Sequence, residues 1–224
     1  GKVDLIVGGF PCQSVSVAGD GAGLNDKSKS GLFFDFAKLI GEMAPSLAIL
    51  ENVAGLASHD NGKTFDAVMN TLADLGYSVS TRLLDSSDFG VPQKRERLFL
   101  VCVHDSVLAN RIAPFTFPKG ADATKVVSDI LEPLSKGRRC HRPLARLKKD
   151  PLAKSRRIET VGLIDGMNNQ GYRVASPLGK GFTLCASSGG VGGKTGLYLV
   201  KGKPRALSPR ECARMQGFPE SFAH

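Results

Sequence analysis

Val3-Asp4-Leu5-Ile6-Val7-Gly8-Gly9-Phe10-Pro11-Cys12-Gln13 is the stretch from which the chain's organisation can be read outward. Val3 to Val7 is apolar and strand-like apart from Asp4, and two glycines followed shortly by a proline break that run into a loop. The loop delivers a cysteine. A structural cysteine is buried and inert, whereas one carried by a strand into a Gly/Ser-rich loop can sit partly exposed, where a helix N-terminus or nearby cations favour its thiolate. Residue type alone does not choose between these readings of Cys12; the residues downstream do.

Elements alternate after that loop. Leu32, Phe33, Phe36, Leu39, Ile40 and Met43 recur at helical spacing until Pro45 stops the helix, and a strand, Leu47 to Leu50, follows. Phe65, Val68, Met69, Leu72 and Leu75 mark a second amphipathic helix, closed by Gly76 as a C-terminal capping residue. Strands near Tyr77 to Leu84 and Leu98 to Val103 complete the block. This alternation predicts an α/β sheet with helices on its faces and functional loops at the C-terminal ends of its strands. Cys12 and Glu51 both fall at such ends.

Glu51 closes an apolar strand in Glu51-Asn52-Val53, and a carboxylate so placed needs either partners or a task, because burying it bare is costly. The plain alternative is a surface glutamate bonded to loop amides. A third loop, after the Tyr77 to Leu84 strand, carries Val91-Pro92-Gln93-Lys94-Arg95-Glu96-Arg97, in which Arg95 and Arg97 share a face if extended. Their planar forks suit phosphates or a carbonyl oxygen and would raise the thiolate population nearby. A solvated charge run is the alternative there.

Composition bounds the class. With 224 residues, 42% of them hydrophobic, the chain can bury one good core and a second small one. No apolar run approaches the roughly 20 residues of a membrane span, and no signal peptide opens the sequence. It begins with Gly1 rather than Met, almost on a strand that would normally lie mid-domain, which suggests a fragment. Five cysteines, at 12, 102, 140, 185 and 212, show no C-x-x-C spacing, so neither a disulfide framework nor a metal site is expected, and a reducing, cytoplasmic compartment fits.

Charge separates the halves. Residues 1 to 105 carry 9 Lys and Arg against 13 Asp and Glu, while residues 106 to 224 carry 21 against 8. Ten basic residues and a single acid, Asp150, lie between Lys136 and Arg157, a density suited to phosphate contacts, or else to a solvated basic loop. The glycine-rich Gly189-Gly190-Val191-Gly192-Gly193 lacks the strand, lysine and helix context of a phosphate-binding loop.

Taken together, Gly8-Gly9-Phe10-Pro11-Cys12-Gln13, Gly31-Leu32-Phe33-Phe34-Asp35, Glu51-Asn52-Val53, Gln93-Lys94-Arg95-Glu96-Arg97 and the late run Arg205 to Pro219 stand in family order. With these five blocks the sequence resembles the DNA (cytosine-5)-methyltransferases, particularly those of bacterial restriction-modification systems. The resemblance implies a partial Rossmann-like S-adenosylmethionine-dependent methyltransferase sheet with a small β-rich target-recognition domain. It implies a catalytic α/β domain over residues 1–110, incomplete at its N-terminus, a target-recognition domain over 111–203, and a return segment over 204–224 whose helix, roughly Pro209 to Gln216, carries Arg205 and Arg210 as interdomain scaffolding.

It also assigns roles. The Cys12 thiolate adds to cytosine C6, and the resulting enamine attacks a methyl donor from C5. Glu51, protonated in a dry pocket or sharing a proton with ring N3, disperses the charge as a general acid. Arg97 grips the cytosine O2, and Arg95 holds the active-site loop or a flanking phosphate. No side chain reaches C6 inside a stacked duplex, so the base is flipped out, and the loop from Ser14 to Gly31 closes as a lid. Gln13, just before that loop, and Ser16 on it contact DNA, with Ala18 standing where a family serine enters the duplex. Gln170 fills the gap beside the orphaned guanine, and Arg173 reads a guanine edge. Thr183, Cys185 and Ser187 alternate ahead of the glycine run as further DNA contacts, which a loop rather than a recognition helix would make.

S-adenosylmethionine is the implied cofactor, with Pro11 and Leu32 as partial walls of its site. The family's opening Gly-rich element and closing Gly-Asn-Ser-Val-like segment are missing from this sequence, so weak cofactor binding, or none, by residues 1 to 224 alone is expected. The implied partner is double-stranded DNA at the nucleoid, with a complementing chain if the protein is naturally split; no membrane and no metal are expected. Three rivals stand beside this reading: a nonenzymatic DNA-recognition module, a tRNA cytosine-5 methyltransferase, and a Cys/His hydrolase using His59, His104 or His141.

Overall fold

A computed structural model of the chain describes residues 3–11, 16–17, 29–109, 115–120, 124–133, 140, 144–145, 151, 153–165, 170–185 and 195–222. The chain divides into two compact units, Gly1–Leu84 with Glu96–Pro118, and Asp85–Arg95 with Lys119–His224.

The first unit contains β1 (Leu5–Gly9), the short antiparallel pair β2 (Ser16–Val17) and β3 (Lys29–Ser30), α1 (Leu32–Met43), β4 (Leu47–Val53), α2 (Lys63–Asp74), β5 (Tyr77–Asp85), β6 (Glu96–His104) and a single turn, α3 (Asp105–Leu108). Its sheet runs β1-β4-β6-β5. β1 and β4 are parallel, from Leu5 opposite Leu47 to Gly9 opposite Glu51. β4 and β6 are antiparallel, from Leu47 opposite Val103 to Val53 opposite Arg97. Three strands therefore bring one end to a common edge: β1 and β4 by their C-termini and β6 by its N-terminus.

Helix positions follow the sequence, but one helical face does not. α1 ends where expected, with Ala44 in the left-handed region (φ 42°) donating its N–H to the Ile40 carbonyl just before Pro45. Its buried residues are Phe33, Phe34, Ala37 and Ile40, whereas Leu32, Leu39 and Met43 are exposed. The expected face is thus rotated. Asp35, Lys38 and Glu42 mark the polar face of α1, and Leu32, Leu39 and Met43 lie on their side of the helix, so the buried face is the one opposite the charges; there, an added Cβ at Gly8 would lie only 2.6 Å from the Phe36 ring. α2 buries Val68 and Leu72 as its pattern requires, and Gly76 (φ 80°) donates to the Ala73 carbonyl beyond its last turn. Phe10, Ile40, Leu50, Leu72 and Leu100 belong to one core between these helices and the sheet.

The strands are longer than sequence patterning suggests. β4 continues through Glu51 to Val53, and β6 starts at Glu96 rather than Leu98, so Glu51 and Arg97 are ladder residues and not loop residues. Apolar runs mark only the buried middle of a strand; the hydrogen-bonded ladder extends past them at polar positions.

The second unit holds a five-stranded sheet, β11-β10-β9-β8-β7, made of β7 (Leu144–Ala145), β8 (Thr160–Ile164), β9 (Arg173–Ala175), β10 (Leu197–Val200) and β11 (Lys203–Arg205), followed by α4 (Pro209–Met215). β9 and β10 are parallel and the remaining pairs antiparallel. Val161, Ile164, Val174 and Leu197 pack in one cluster of this unit; Val127, Phe182, Tyr198 and Met215 pack in another.

α4 starts with a capping box: the Ser208 hydroxyl accepts from the Glu211 N–H and the Glu211 carboxylate accepts from the Ser208 N–H, with Pro209 in the first turn. Arg205 ends β11 instead of riding this helix, and both its terminal nitrogens lie 2.7 Å from Glu211 oxygens in a buried bidentate pair within the same unit. Arg210 lies near Glu132, at 3.8 Å.

Candidate active site

The common edge of the first sheet gathers the chemistry. Glu51 and Arg97 project from the same face of the β4 and β6 ladder, and Arg97 Nε lies 2.7 Å from Glu51 Oε1. Arg97 also donates from Nη1 to the neighbouring Glu96 carbonyl. Among the described residues, the Glu51 side chain keeps 37% exposure and lies against Arg97.

Beside it, Gly9 has a structural reason to lack a side chain: a Cβ there would lie 3.1 Å from Glu51 Oε2. The carboxylate therefore lies close against the end of β1.

Asn52 is the residue that sequence reasoning passed over. Being next to Glu51 on a strand, it faces the opposite way and is buried, and its Nδ2 donates to the Phe10 carbonyl at 2.8 Å. Its Oδ1 accepts from the Val53 N–H. Phe10 is fixed again by its ring, 4.9 Å from that of Phe33. Two independent contacts thus hold the backbone two residues before Cys12. An amide in step with the alternate apolar positions Ala48 and Leu50 was the signal.

Cys12 and Gln13 lie outside the described residues. Ser16 is in β2, its side chain likewise outside the description. Pro11 and Leu32 are both exposed, Leu32 at 59% as the first residue of α1.

Arg95 and Arg97 part company. Arg97 is on β6 in the first unit, whereas Arg95 precedes the strand in the segment Asp85–Arg95 of the second unit. Asp85 clasps that segment: Oδ1 accepts from the Ser87 and Arg95 N–H groups, and Oδ2 accepts from Lys94 Nζ at 2.7 Å. Burial alone would raise the Asp85 carboxyl, but these hydrogen bonds and the Lys94 charge together hold it below its ordinary range. Gln93 is buried, and its Oε1 accepts from the Leu184 N–H, while Lys94 N–H donates to the Gly181 carbonyl. The Gln93-Lys94 part of the motif is therefore knitted to residues 181–184.

That knitting fixes Thr183, whose hydroxyl donates to the Lys94 carbonyl at 2.7 Å; Cys185 is exposed and Ser187 lies outside the described residues. Arg173 opens β9, its guanidinium carbon 4.7 Å from the centre of the Phe182 ring. Gln170 begins the short 3-10 turn before it, with its side chain outside the description.

Two of the three histidines considered for a hydrolase have structural partners. His59 Nδ1 is hydrogen-bonded to the Thr64 hydroxyl, His104 caps α3 and meets the Tyr77 ring edge-on, and His141 lies outside the described residues. Cys102 is fully buried in the first core, where desolvation pushes its thiol up to about 12. Among the described residues, no group of His, Cys, Asp and Glu could hold a metal ion and no helix is long and apolar enough to cross a membrane.

The first unit thus holds a strand-end carboxylate paired with an arginine on an α/β sheet. The chain belongs to the C-5 cytosine-specific DNA methylases, whose family model spans residues 1–224. It is 41% identical over 225 residues to the Type II methyltransferase M.HhaI of Haemophilus parahaemolyticus, covering 98% of this chain and 66% of that protein. To M.DsaV of Dactylococcopsis salina it is 36% identical over 221 residues, with 98% and 60% covered. The chain thus spans less than two thirds of these relatives. The fold is that of the methyltransferases. Schizosaccharomyces pombe Dnmt2 superposes with a TM-score of 0.58 at 17% identity, over 98% of this chain and 68% of that one. A Spodoptera frugiperda DNMT2 mutant gives 0.60 at 15%, over 98% and 70%.

Proposed function

We propose that this protein is a DNA (cytosine-5)-methyltransferase of a bacterial restriction-modification system, acting in the cytoplasm on a cytosine flipped out of duplex DNA. The observation that carries the proposal is the Glu51 and Arg97 pair, 2.7 Å apart at the sheet edge where β1 leads to Cys12. A carboxyl and a guanidinium held together offer a proton donor and a cation to one planar ring, which suits the N3 and O2 edge of cytosine.

In this mechanism the Cys12 thiolate forms a bond to C6, and the electron pair displaced from the C5=C6 bond is taken up by the ring. Glu51 supplies a proton or hydrogen bond at N3, and Arg97 steadies O2, so the ring charge is dispersed while C5 becomes nucleophilic. S-adenosylmethionine, when bound, supplies an electrophilic methyl group. Pro11 and Leu32 fit one wall of its site, being exposed apolar groups on the loop and helix that follow β1. After C5 is methylated, a water molecule takes its proton, and the C5–H electron pair restores the C5=C6 double bond as Cys12 leaves C6 as thiolate.

Asn52 serves this sequence by holding the Phe10 carbonyl, and Arg95 by standing in the loop clasped by Asp85. Residues 1–110 form the catalytic part, 111–203 the target-recognition part with Gln170, Arg173, Thr183, Cys185 and Ser187 on DNA, and 204–224 the return segment. The test is transfer of labelled methyl groups from S-adenosylmethionine to duplex DNA and, in parallel, to tRNA by the intact protein. Incorporation into DNA, abolished by Cys12→Ser, is expected; preferential incorporation into tRNA, or none into either, would overturn the proposal.

A further inference from the structure

Arg173 does not reach out from an open surface on a freely rotating stem. Its guanidinium carbon is 4.7 Å from the centre of the Phe182 ring, and that ring is buried at 4% exposure. The ring is fixed from three directions. The Phe182 N–H donates to the Tyr198 hydroxyl at 2.8 Å, and the Phe182 and Tyr198 rings pack 5.8 Å apart. Tyr198 itself is wholly buried on β10. Gly196, at φ 79°, closes the third side: a Cβ there would lie 2.7 Å from the Phe182 ring and 3.2 Å from the Arg173 carbonyl. The left-handed backbone and the crowding both require glycine.

We propose that Phe182 is a specificity-determining positioning residue: its ring is a platform that sets the plane of the Arg173 fork for a guanine edge. The inference rests on Arg173 contacting DNA, as proposed above. An aromatic face attracts a guanidinium and favours a limited range of orientations. A fork so held can present two parallel N–H donors to the O6 and N7 acceptors of guanine, whereas adenine offers one acceptor and one donor at the corresponding edge. Without the platform the same arginine keeps its charge and can still meet a phosphate, but the angular condition that rejects other bases is relaxed. The platform thus acts on discrimination rather than on the chemistry at cytosine.

The experiment uses the intact protein with methylation read base by base over a random-sequence duplex library, together with kcat on the preferred sequence. Phe182→Leu removes the aromatic face, Phe182→Tyr restores it, and ring-fluorinated phenylalanine at 182 keeps the volume while weakening the face, which covers the case in which leucine fails to fold. Phe182→Leu and the fluorinated protein are expected to lose about tenfold in preference for guanine at one position, with kcat within about twofold of the parent and Phe182→Tyr close to normal. Arg173→Ala should relax the same position. Relaxation by Arg173→Ala with full selectivity in the fluorinated protein would overturn the platform while leaving Arg173 as a reader. Unchanged selectivity in Arg173→Ala would overturn both, and methylation of DNA would stand.

Discussion

Arg97 Nε and Glu51 Oε1 stand 2.7 Å apart on antiparallel strands whose register sets Val53 opposite Arg97 and Glu51 opposite Phe99. The two charged residues are diagonal neighbours on one face of the ladder, so the pairing is built into the sheet rather than into a loop.

Under the proposed mechanism this pair is expected to contribute little to stability and much to turnover. Both side chains retain solvent contact, so Glu51→Gln should cost no more than about 1 kcal/mol in urea unfolding. Loss of the proton donor should lower kcat by about a hundredfold or more in methyl-transfer assays. A large loss of stability with nearly normal turnover would show a structural pair.

Asn52→Ala should leave the Phe10 carbonyl without its donor, at a cost of about 1 to 3 kcal/mol. Because that carbonyl lies two residues before Cys12, kcat should fall more than the KM for DNA rises. An equal change in neither, with stability alone reduced, would confine Asn52 to the core.

The buried pair of Arg205 and Glu211 makes the opposite prediction, on stability with a pH signature. Burial would raise the Glu211 carboxyl, but the Arg205 hydrogen bonds, the Glu132 and Ser208 amides and the Arg205 charge together hold it below its ordinary 4.5. A depressed carboxyl means that the unfolded chain binds the extra proton, so this contribution is full above about pH 4.5 and is lost as pH falls through the lower folded value. Glu211→Gln should therefore cost about 3 kcal/mol near neutrality, and its gap from the parent should narrow below that pH. Denaturation midpoints between pH 3 and 7 provide the check.

The thiols should also separate. With burial pushing Cys102 up to about 12, iodoacetamide at neutral pH should leave it unmodified in the folded protein, while exposed Cys185 reacts. Mass spectrometry of the alkylated peptides reads this, and early labelling of Cys102 would contradict the burial.

Much of the first unit was legible because its helices carry strong periodicity and end at Pro45 and Gly76. The limits are seen at particular residues. In α1 the apolar residues alone do not mark the buried face, because Leu32, Leu39 and Met43 lie on the side of Asp35, Lys38 and Glu42 and are exposed. The rule that sites gather at strand C-termini pointed to Cys12 and Glu51, but it treated Arg97 as a loop residue. β6 runs antiparallel to β4, so its N-terminal end meets the same edge, and strand direction is a tertiary property. Asn52 and Phe182 escaped notice because their partners, Phe10 and Arg173, are fixed only by folding.

The central claim is that Cys12 bonds covalently to the cytosine ring. The most direct measurement incubates the intact protein with a duplex containing 5-fluorocytosine and S-adenosylmethionine, then resolves protein and DNA under denaturing conditions. The fluorine at C5 blocks release of the enzyme after methyl transfer, so a stable adduct carrying the methyl group is expected, with its DNA on the Cys12 peptide. Cys12→Ser should give none. An adduct that persists in Cys12→Ser, or that maps to another residue, would contradict the account.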